Sequence, residues 1–517
     1  MIRVGLAAAY RSFVLKEAVG VMITASHNDE SFNGVKLADP NGGMMATEGE
    51  CLAVRLVNSI TVDDLLSSIP ITSHATVHVG RDTRSHSPDF EKLVVQAARA
   101  MGATVLVHGV VTTPQLHYCV LMDNPPHLPP LIPPRPYIQG YYEQLAHSYL
   151  GLLQGIPDEP NPIPLIVDCA CGVGFYHLQR LNDYLQRLGA KRRFLPKNSP
   201  SEGPLNENCG SEHVQKYVCA PEWYSKSSKT PHAYNASLDG DADRIVFFSE
   251  TPNFFLLDGD KISALLCDFL QSQVSVLRQA LSEKTDIDFP PLRLGVVQTA
   301  YANGASTLYL RKVLGGENVV FAKTGVKYVH EAAHQNFDIG VYFEANGHGT
   351  VLFAQGFYDF LLHADRYVRG HRALRCLQLL PALINQAVGD ALSDLLLVDA
   401  ILQIQGKTVY DWNSLYTDLP SRQSKVQVRD RTMIQTNSNE TECISPVELQ
   451  SELLEAMAQF PKSRCFVRPS GTENVVRIYA EALTASDADA LASIAAHLVH
   501  KLCQGIGDPP RIPNGKM

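Results

Sequence analysis

Strand-like and helix-like segments alternate along this chain, and that alternation restricts its fold more than any other feature. Gly5 to Val14 has the spacing of a helix, Val19 to Ile23 of a buried strand, Ala75 to Gly80 of a second, Phe90 to Met101 of a helix and Ala103 to His108 of a third strand. Strands separated by helices predict a parallel or mixed sheet covered on its faces. The proline-dense stretch from Asn124 to Pro136 continues neither element and marks an irregular excursion or a linker. A second unit opens with strand Ile163 to Cys169 and turns through glycines, Asp168 to Gly174, into a helix. A third runs from the helix after Asp258-Gly259-Asp260-Lys261 through strands Leu294 to Thr299, Val319 to Ala322 and Ile339 to Glu344. The polar stretch Asp430 to Glu442 sets off a shorter α+β piece, with strands Arg464 to Val467 and Val475 to Glu481 and the helix Ala485 to Cys503. With 517 residues the chain exceeds one core, and about 150 residues per domain predicts three or four.

A hydrophobic fraction of 45% and a charged fraction of 19% describe an ordinary globular protein. The net charge of -9 argues against nucleic acid or an anionic membrane as partner, so any phosphate site must be locally basic. The 11 cysteines are scattered, apart from Cys169 and Cys171, and suit neither a zinc site nor a disulfide framework. A reducing cytosol is expected. The apolar N-terminal run is short for a signal peptide, although its arginines and small residues also allow a mitochondrial leader. No stretch reaches the ~20 apolar residues of a membrane span.

Four loops carry the chemistry. Thr24-Ala25-Ser26-His27-Asn28-Asp29 sets a serine between an apolar strand and a polar loop, with a basic and an amide side chain beside it, as a phosphoryl-carrying serine requires. Alone it is weak, because most serines at strand ends only bond to local turns. In Leu238-Asp239-Gly240-Asp241-Ala242-Asp243-Arg244 three alternating carboxylates can converge on one ion. Oxygen ligands without nearby histidine or cysteine favour Mg²⁺ or Ca²⁺ over zinc, and solvated turn aspartates are the plain alternative. An EF-hand is rejected, since Arg244 stands where the calcium loop needs glycine and Ile245-Val246-Phe247-Phe248 has the character of a buried strand.

In Glu344-Ala345-Asn346-Gly347-His348-Gly349 the glycines allow close backbone approach, and the Glu344 carboxylate and Asn346 amide suit sugar hydroxyls or, more plainly, a strand cap. Arg468-Pro469-Ser470-Gly471-Thr472-Glu473, with Arg477, offers a guanidinium fork, hydroxyls and backbone N–H groups to a phosphate monoester, or forms a surface turn. Lys36 can move the proton of an attacking hydroxyl if burial lowers its pKa. Lys323 and Lys327 either touch phosphate or flank a turn. Gly80-Arg81-Asp82-Thr83-Arg84 is expected to be structural, its ion pairs bracing the first domain.

These loops, in this order, resemble the phosphohexose mutase family and in detail its phosphoacetylglucosamine mutase branch. The resemblance implies three similar mixed-sheet α/β domains plus a smaller C-terminal α+β domain around one cleft. It assigns 1–150 to phosphoserine, 160–255 to metal, 256–425 to sugar and 426–517 to phosphate. Ser26 would be phosphorylated and, with Asp239, Asp241 and Asp243, would bind one Mg²⁺. Arg244 and His27 would hold the transferring phosphoryl group, and Lys36 would be the general base. Lys323, Lys327, Glu344, Asn346, Gly347 and His348 would bind the sugar phosphate, and Arg468, Ser470, Gly471, Thr472 and Arg477 the non-transferred phosphate. Glucose and mannose mutases carry serine where Asn346 stands, which implies an N-acetylglucosamine substrate.

The implied reaction interconverts N-acetylglucosamine 6-phosphate and 1-phosphate through a hexosamine 1,6-bisphosphate, also the activator, on the route to UDP-N-acetylglucosamine. A cytoplasmic monomer acting on small sugar phosphates is expected, with neither nucleic acid nor membrane as partner. Family members open on a strand with a Gly-Thr-x-Gly-x-Arg motif, and no such string precedes Val19, so that strand is expected to be absent here. Ala354 to Leu377 is expected to diverge from the family. The competing readings are a shortened, low-turnover sugar-phosphate-binding isoform and a Mg²⁺-dependent sugar phosphatase.

Overall fold

The computed structural model describes residues 1–46, 49–51, 54, 74–135, 137–157, 162–226, 234–287, 289–471 and 473–511. The chain forms two compact units: Met1–Ile262, Ser272–Pro291 and Asn346–Trp412 make the first, and Ser263–Gln271, Leu292–Ala345 and Asn413–Met517 the second.

The first unit begins with α1 (Ile2–Leu15) and β1 (Val19–Ile23). Every residue of β1 is buried, because helices cover both faces of its sheet. β1 pairs antiparallel with β2 (Val35–Ala38) and parallel with β3 (Thr76–Arg81), and β3 pairs parallel with β4 (Thr104–Val110). On one face α1 and α2 (Ser87–Ala100) bury Phe13, Val94 and Ala98 against Val19, Val21 and Val79. The helix expected from Phe90 starts at Ser87 because Pro88 suits a first helical turn. On the other face α3 (Thr113–Met122), started by a reciprocal Thr112/Gln115 capping box, sets Leu116 on Met22. The stretch after Asn124 is an irregular excursion pinned to this sheet domain. The buried Asn124 amide accepts from Ala18 N and donates to the carbonyls of Ala18, Pro40 and Val120.

After α4 (Tyr137–Leu153) comes a five-stranded sheet in the order β6 (Phe194–Lys197), β5 (Leu165–Asp168), β7 (Asn235–Leu238), β8 (Ile245–Ser249), β9 (Phe255–Leu257). β5 is parallel to β6 and β7, whereas β7, β8 and β9 form an antiparallel meander. The same unit takes in strand Gly349–Phe353 and helix Ala391–Gln405, which is buried on all sides through Leu402. Of the three buried carboxylates at its N-cap and within it, Asp390, Asp394 and Asp399, two find partners on α4: Tyr141 Oη donates to Asp390 and Tyr149 Oη to Asp399.

In the second unit β10 (Leu294–Gln298) lies parallel between β11 (Val319–Phe321) and β12 (Ile339–Phe343). A separate antiparallel sheet orders Ser421–Gln427, Val475–Glu481 and Arg464–Pro469, with helices Val447–Met457 and Ala485–Leu502 packed on it. Its first strand begins at Ser421, ahead of the boundary expected at 426. The fold is mixed α/β. Among the described residues no helix is long and apolar enough to cross a membrane.

Candidate active site

Ser26 follows β1 directly, and the three aspartates sit in the turn between β7 and β8, so two sheets deliver the two loops. Ser26 is buried with φ +52°. Its Oγ donates to Asp239 Oδ2 at 2.6 Å. Asp239 Oδ1 accepts from Asp243 N at 3.1 Å and Arg244 N at 3.2 Å, which closes the turn on itself. Gly240 passes so close that a Cβ there would lie 2.8 Å from Ser26 O, so the position requires glycine. Lys36, opposite Met22 on β2, donates to Asp241 Oδ2 at 2.7 Å and Asp243 Oδ2 at 2.5 Å. Thr113 Oγ1 donates to Asp241 Oδ2 at 2.5 Å.

One oxygen from each aspartate lies within 4.8 Å of the others, and Asp241 Oδ1 is buried without a hydrogen-bond partner. Three convergent carboxylates, with Asp241 Oδ1 and Asp243 Oδ1 both buried without a hydrogen-bond partner, fit Mg²⁺, and Asp239, Asp241 and Asp243 are the residues to hold it.

Burial, and then repulsion from Asp241 and Asp243, pushes the Asp239 carboxyl well above the usual range. Burial would also raise Asp243, but Lys36, His348 and Arg244 hold it well below. Lys36 corrects an expectation. Burial favours its neutral amine, yet the carboxylates of Asp241, Asp243 and Asp239 outweigh burial and raise its pKa, so the structure presents an ammonium. His27 is lowered by burial and by Arg244, against the opposing pull of Glu212, Asp243 and Asp241, and its Nδ1 is buried without a partner. Arg244 NH1 lies 3.8 Å from Glu212 Oε2 and its Nε 3.9 Å from Asp243 Oδ1.

His348 joins the same cluster, its Nδ1 3.5 Å from Asp243 Oδ1. Gly347 makes this possible: it has φ +86°, its carbonyl accepts from Ile245 N at 3.1 Å, and a Cβ would lie 1.9 Å from Ile245 O. Asn346 Oδ1 accepts from His348 N at 2.9 Å, so its amide shapes the turn. Glu344 belongs to the second unit.

In that unit Arg468 Nε donates to Tyr301 Oη at 3.0 Å, and its guanidinium lies 5.3 Å from the Tyr301 ring centroid. Its NH1 is 3.7 Å from Glu440 Oε1, while Glu440 Oε2 accepts from Thr324 N at 3.0 Å. Glu440 thus ties the Lys323 to Lys327 turn to the Arg468 strand. Arg477 pairs with Arg468 across the two strands, and the buried Ser470 donates its N–H to Val475 O at 2.9 Å. Gly471 is exposed, Lys323 Nζ lies 5.3 Å from the Tyr328 ring centroid, and Thr472 is outside the described residues.

Sequence reasoning missed Thr113, Asn206, Tyr301 and Glu440. Thr113 looks like part of a helix start, and Asn206 donates to Ser26 O at 2.9 Å from a turn with no local signature. Arg84 was expected only to brace a domain, but its NH2 donates to Asn28 O at 2.6 Å inside the serine loop.

Three family models match: phosphoglucomutase/phosphomannomutase α/β/α domain I at residues 6–64 and 56–124, phosphoacetylglucosamine mutase AMG1 domain III at 258–407, and the phosphoglucomutase/phosphomannomutase C-terminal domain at 450–499. The domain III match runs through 354–377, where divergence was expected, and helices Gln355–Val368 and Arg372–Leu383 fill that stretch. Phosphoacetylglucosamine mutase of Arabidopsis thaliana is 42% identical over 96% of this chain and 91% of its own, and that of Homo sapiens 39% over 99% and 92%. The crystal structure of Aspergillus fumigatus N-acetylphosphoglucosamine mutase with GlcNAc-6P and magnesium is similar at TM-score 0.88 and 39% identity, covering 97% of this chain and 92% of that one. The structure of a serine-to-alanine variant of the fungal enzyme, in complex with glucose 1,6-bisphosphate, gives 0.83 at 39% identity and the same coverage. On this evidence the chain belongs to the phosphoacetylglucosamine mutase family, within the α-D-phosphohexomutase superfamily.

Proposed function

We propose that the chain interconverts N-acetylglucosamine 6-phosphate and N-acetylglucosamine 1-phosphate by carrying a phosphoryl group on Ser26. The observation that carries this reading is the Ser26 hydroxyl at hydrogen-bond distance from Asp239, inside a buried carboxylate cluster that Lys36 flanks. In one half-reaction the bond from Ser26 Oγ to phosphorus breaks as a sugar hydroxyl oxygen bonds to that phosphorus, which yields the 1,6-bisphosphate. In the other, the second phosphoryl group of that bisphosphate returns to Ser26.

Lys36, an ammonium among the aspartates, offsets the charge of the transferring group and can protonate the leaving Ser26 oxygen, after which its amine can take the sugar hydroxyl proton; His27 and Arg244 face the same carboxylates. Mg²⁺ held by the three aspartates would supply further charge stabilisation. His348 and the Asn346 turn are assigned to the sugar, Asn346 favouring the N-acetyl form, and Glu344, Lys323 and Lys327 to substrate contacts. Arg468, Ser470, Gly471, Thr472 and Arg477 are assigned to a phosphate monoester. We further take the enzyme to be a cytoplasmic monomer on the route to UDP-N-acetylglucosamine, with 1–150, 160–255, 256–425 and 426–517 as its domains. The names and ligands of the solved relatives support the substrate assignment.

The test is a coupled assay for N-acetylglucosamine 1-phosphate, with and without trace hexosamine 1,6-bisphosphate, alongside peptide mass spectrometry. Phosphate on Ser26 and loss of turnover in Ser26→Ala are expected. Phosphate found elsewhere with Ser26→Ala still active would overturn the assignment. Release of free phosphate without isomerisation would favour a sugar phosphatase.

A further inference from the structure

A residue with a Cβ disfavours positive φ, yet Ser26 holds φ +52°. Something must keep it there, and the backbone around it shows what does. Ser26 O accepts from Asn206 Nδ2 at 2.9 Å and from Arg84 NH2 at 3.5 Å. Asn28 O, in the same loop, accepts from the same two groups, at 3.0 Å and 2.6 Å. Two donors from separate parts of the first unit therefore meet on the same two carbonyls.

Each donor is itself fixed. Arg84 is fully buried and ion-paired through NH1 with Asp82 Oδ2, while Asp82 Oδ1 accepts from Arg84 N at 3.0 Å and Ser87 Oγ at 2.7 Å. Asn206 donates its N–H to Ala170 O at 2.9 Å. A bracing role would be complete with the Asp82 pair. The Arg84 NH2 instead reaches past it into the serine loop.

We infer that Arg84 and Asn206 are positioning residues that hold Ser26 in its left-handed conformation by gripping the carbonyls of its own loop. This rests on the reading of Ser26 as the phosphoryl carrier. With the grip in place the Ser26 side chain points at Asp239. Without it the residue relaxes toward negative φ, and Oγ swings away from the carboxylate cluster.

The test compares the near-isosteric Asn206→Asp, which removes both amide donors and sets an oxygen against two carbonyls, with Asn206→Ala and Arg84→Lys. Expected are a fall in kcat on the order of 10- to 100-fold, as for a misplaced reacting group, and a similar fall in the single-turnover rate of Ser26 phosphorylation by hexosamine 1,6-bisphosphate. KM for the 6-phosphate should stay within about twofold, since the grip does not touch the sugar. Arg84→Lys keeps the charge without the fork and should fall between wild type and Asn206→Asp. A crystal structure of Asn206→Asp should show Ser26 out of the positive-φ region. Unchanged kcat in folded Asn206→Asp and Asn206→Ala, a change in KM alone, or Ser26 still at positive φ would overturn the inference. If Arg84→Lys does not fold, the Asn206 variants decide. A wild-type protein that does not isomerise sugar phosphate counts against the proposed function, whereas the φ of Ser26 in Asn206→Asp still decides this inference.

Discussion

Replacing Lys36 by methionine keeps most of the side-chain volume and removes its charge from between Asp241 and Asp243. The two carboxylates are 0% and 5% exposed, the lysine 29%. Removing one partner of a fully buried pair costs about 3–5 kcal/mol. Because Lys36 keeps some solvent and Arg244 and His348 remain beside Asp243, about 2–3 kcal/mol is expected here, a large part of the 5–15 kcal/mol typical of a folded protein. Magnesium at a hundred times its Kd adds about 2.7 kcal/mol to a native state. In wild type part of that attraction is lost, since the ammonium repels the incoming cation and shares its carboxylates. The gain from magnesium in Lys36→Met should therefore be larger by at least about 1 kcal/mol. Both tryptophans, Trp223 and Trp412, lie in the first unit, so urea unfolding followed by tryptophan fluorescence, in EDTA and in excess Mg²⁺, reports on that unit. Lys36→Met as stable as wild type in EDTA, or an equal magnesium gain in both proteins, would refute the reasoning.

Gly347→Ala should destabilise the first unit by about 2–3 kcal/mol in the same assay, from roughly 1–2 for left-handed backbone and about 1 for the lost Ile245 bond, and should lower turnover by shifting His348. Arg468→Ala should raise KM for the sugar phosphate at least about tenfold with a smaller change in kcat, and Arg468→Lys should not restore it, because a lysine cannot keep both the fork and the Tyr301 contact. Burial pushes the Asp390 carboxyl from its ordinary 3.8 up to about 6, against the hydrogen bonds from Tyr141, Ser393, Asn385 and Leu392. The folded state thus binds the proton more tightly than the unfolded one, so stability falls as pH rises from 3.8 to about 6 and levels off above. Urea unfolding across that window should show this slope in wild type and not in Asp390→Asn.

The three aspartates and Ser26 were legible because each lies in a short loop beside a strand, where alternation and turn chemistry are local. What stayed hidden depends on distance along the chain. The direction of the Lys36 shift is set by carboxylates more than 200 residues away, and no window around Lys36 contains them. Asn206 and Glu440 are single polar residues in turns, indistinguishable by composition from any other turn residue until the fold brings Ser26 or Arg468 to them. The strand from Ser421 was not expected because its polar, partly exposed residues carry no apolar run, and pairing with Val475–Glu481 holds it in place.

The first unit is assembled from three stretches of chain, and this has a consequence for biosynthesis. Ser26 and the aspartate turn leave the ribosome early, but Gly347 and His348 arrive about a hundred residues after Ile245 and Asp243, and helix Ala391–Gln405 later still. Until then the nascent chain must carry the exposed apolar surface of Phe247, a residue fully buried in the finished protein with its ring against Trp412. A product released before Gly347 therefore lacks both its core helix and His348 of the reactive cluster, so translation has to pass residue 405 before the surroundings of the serine are complete.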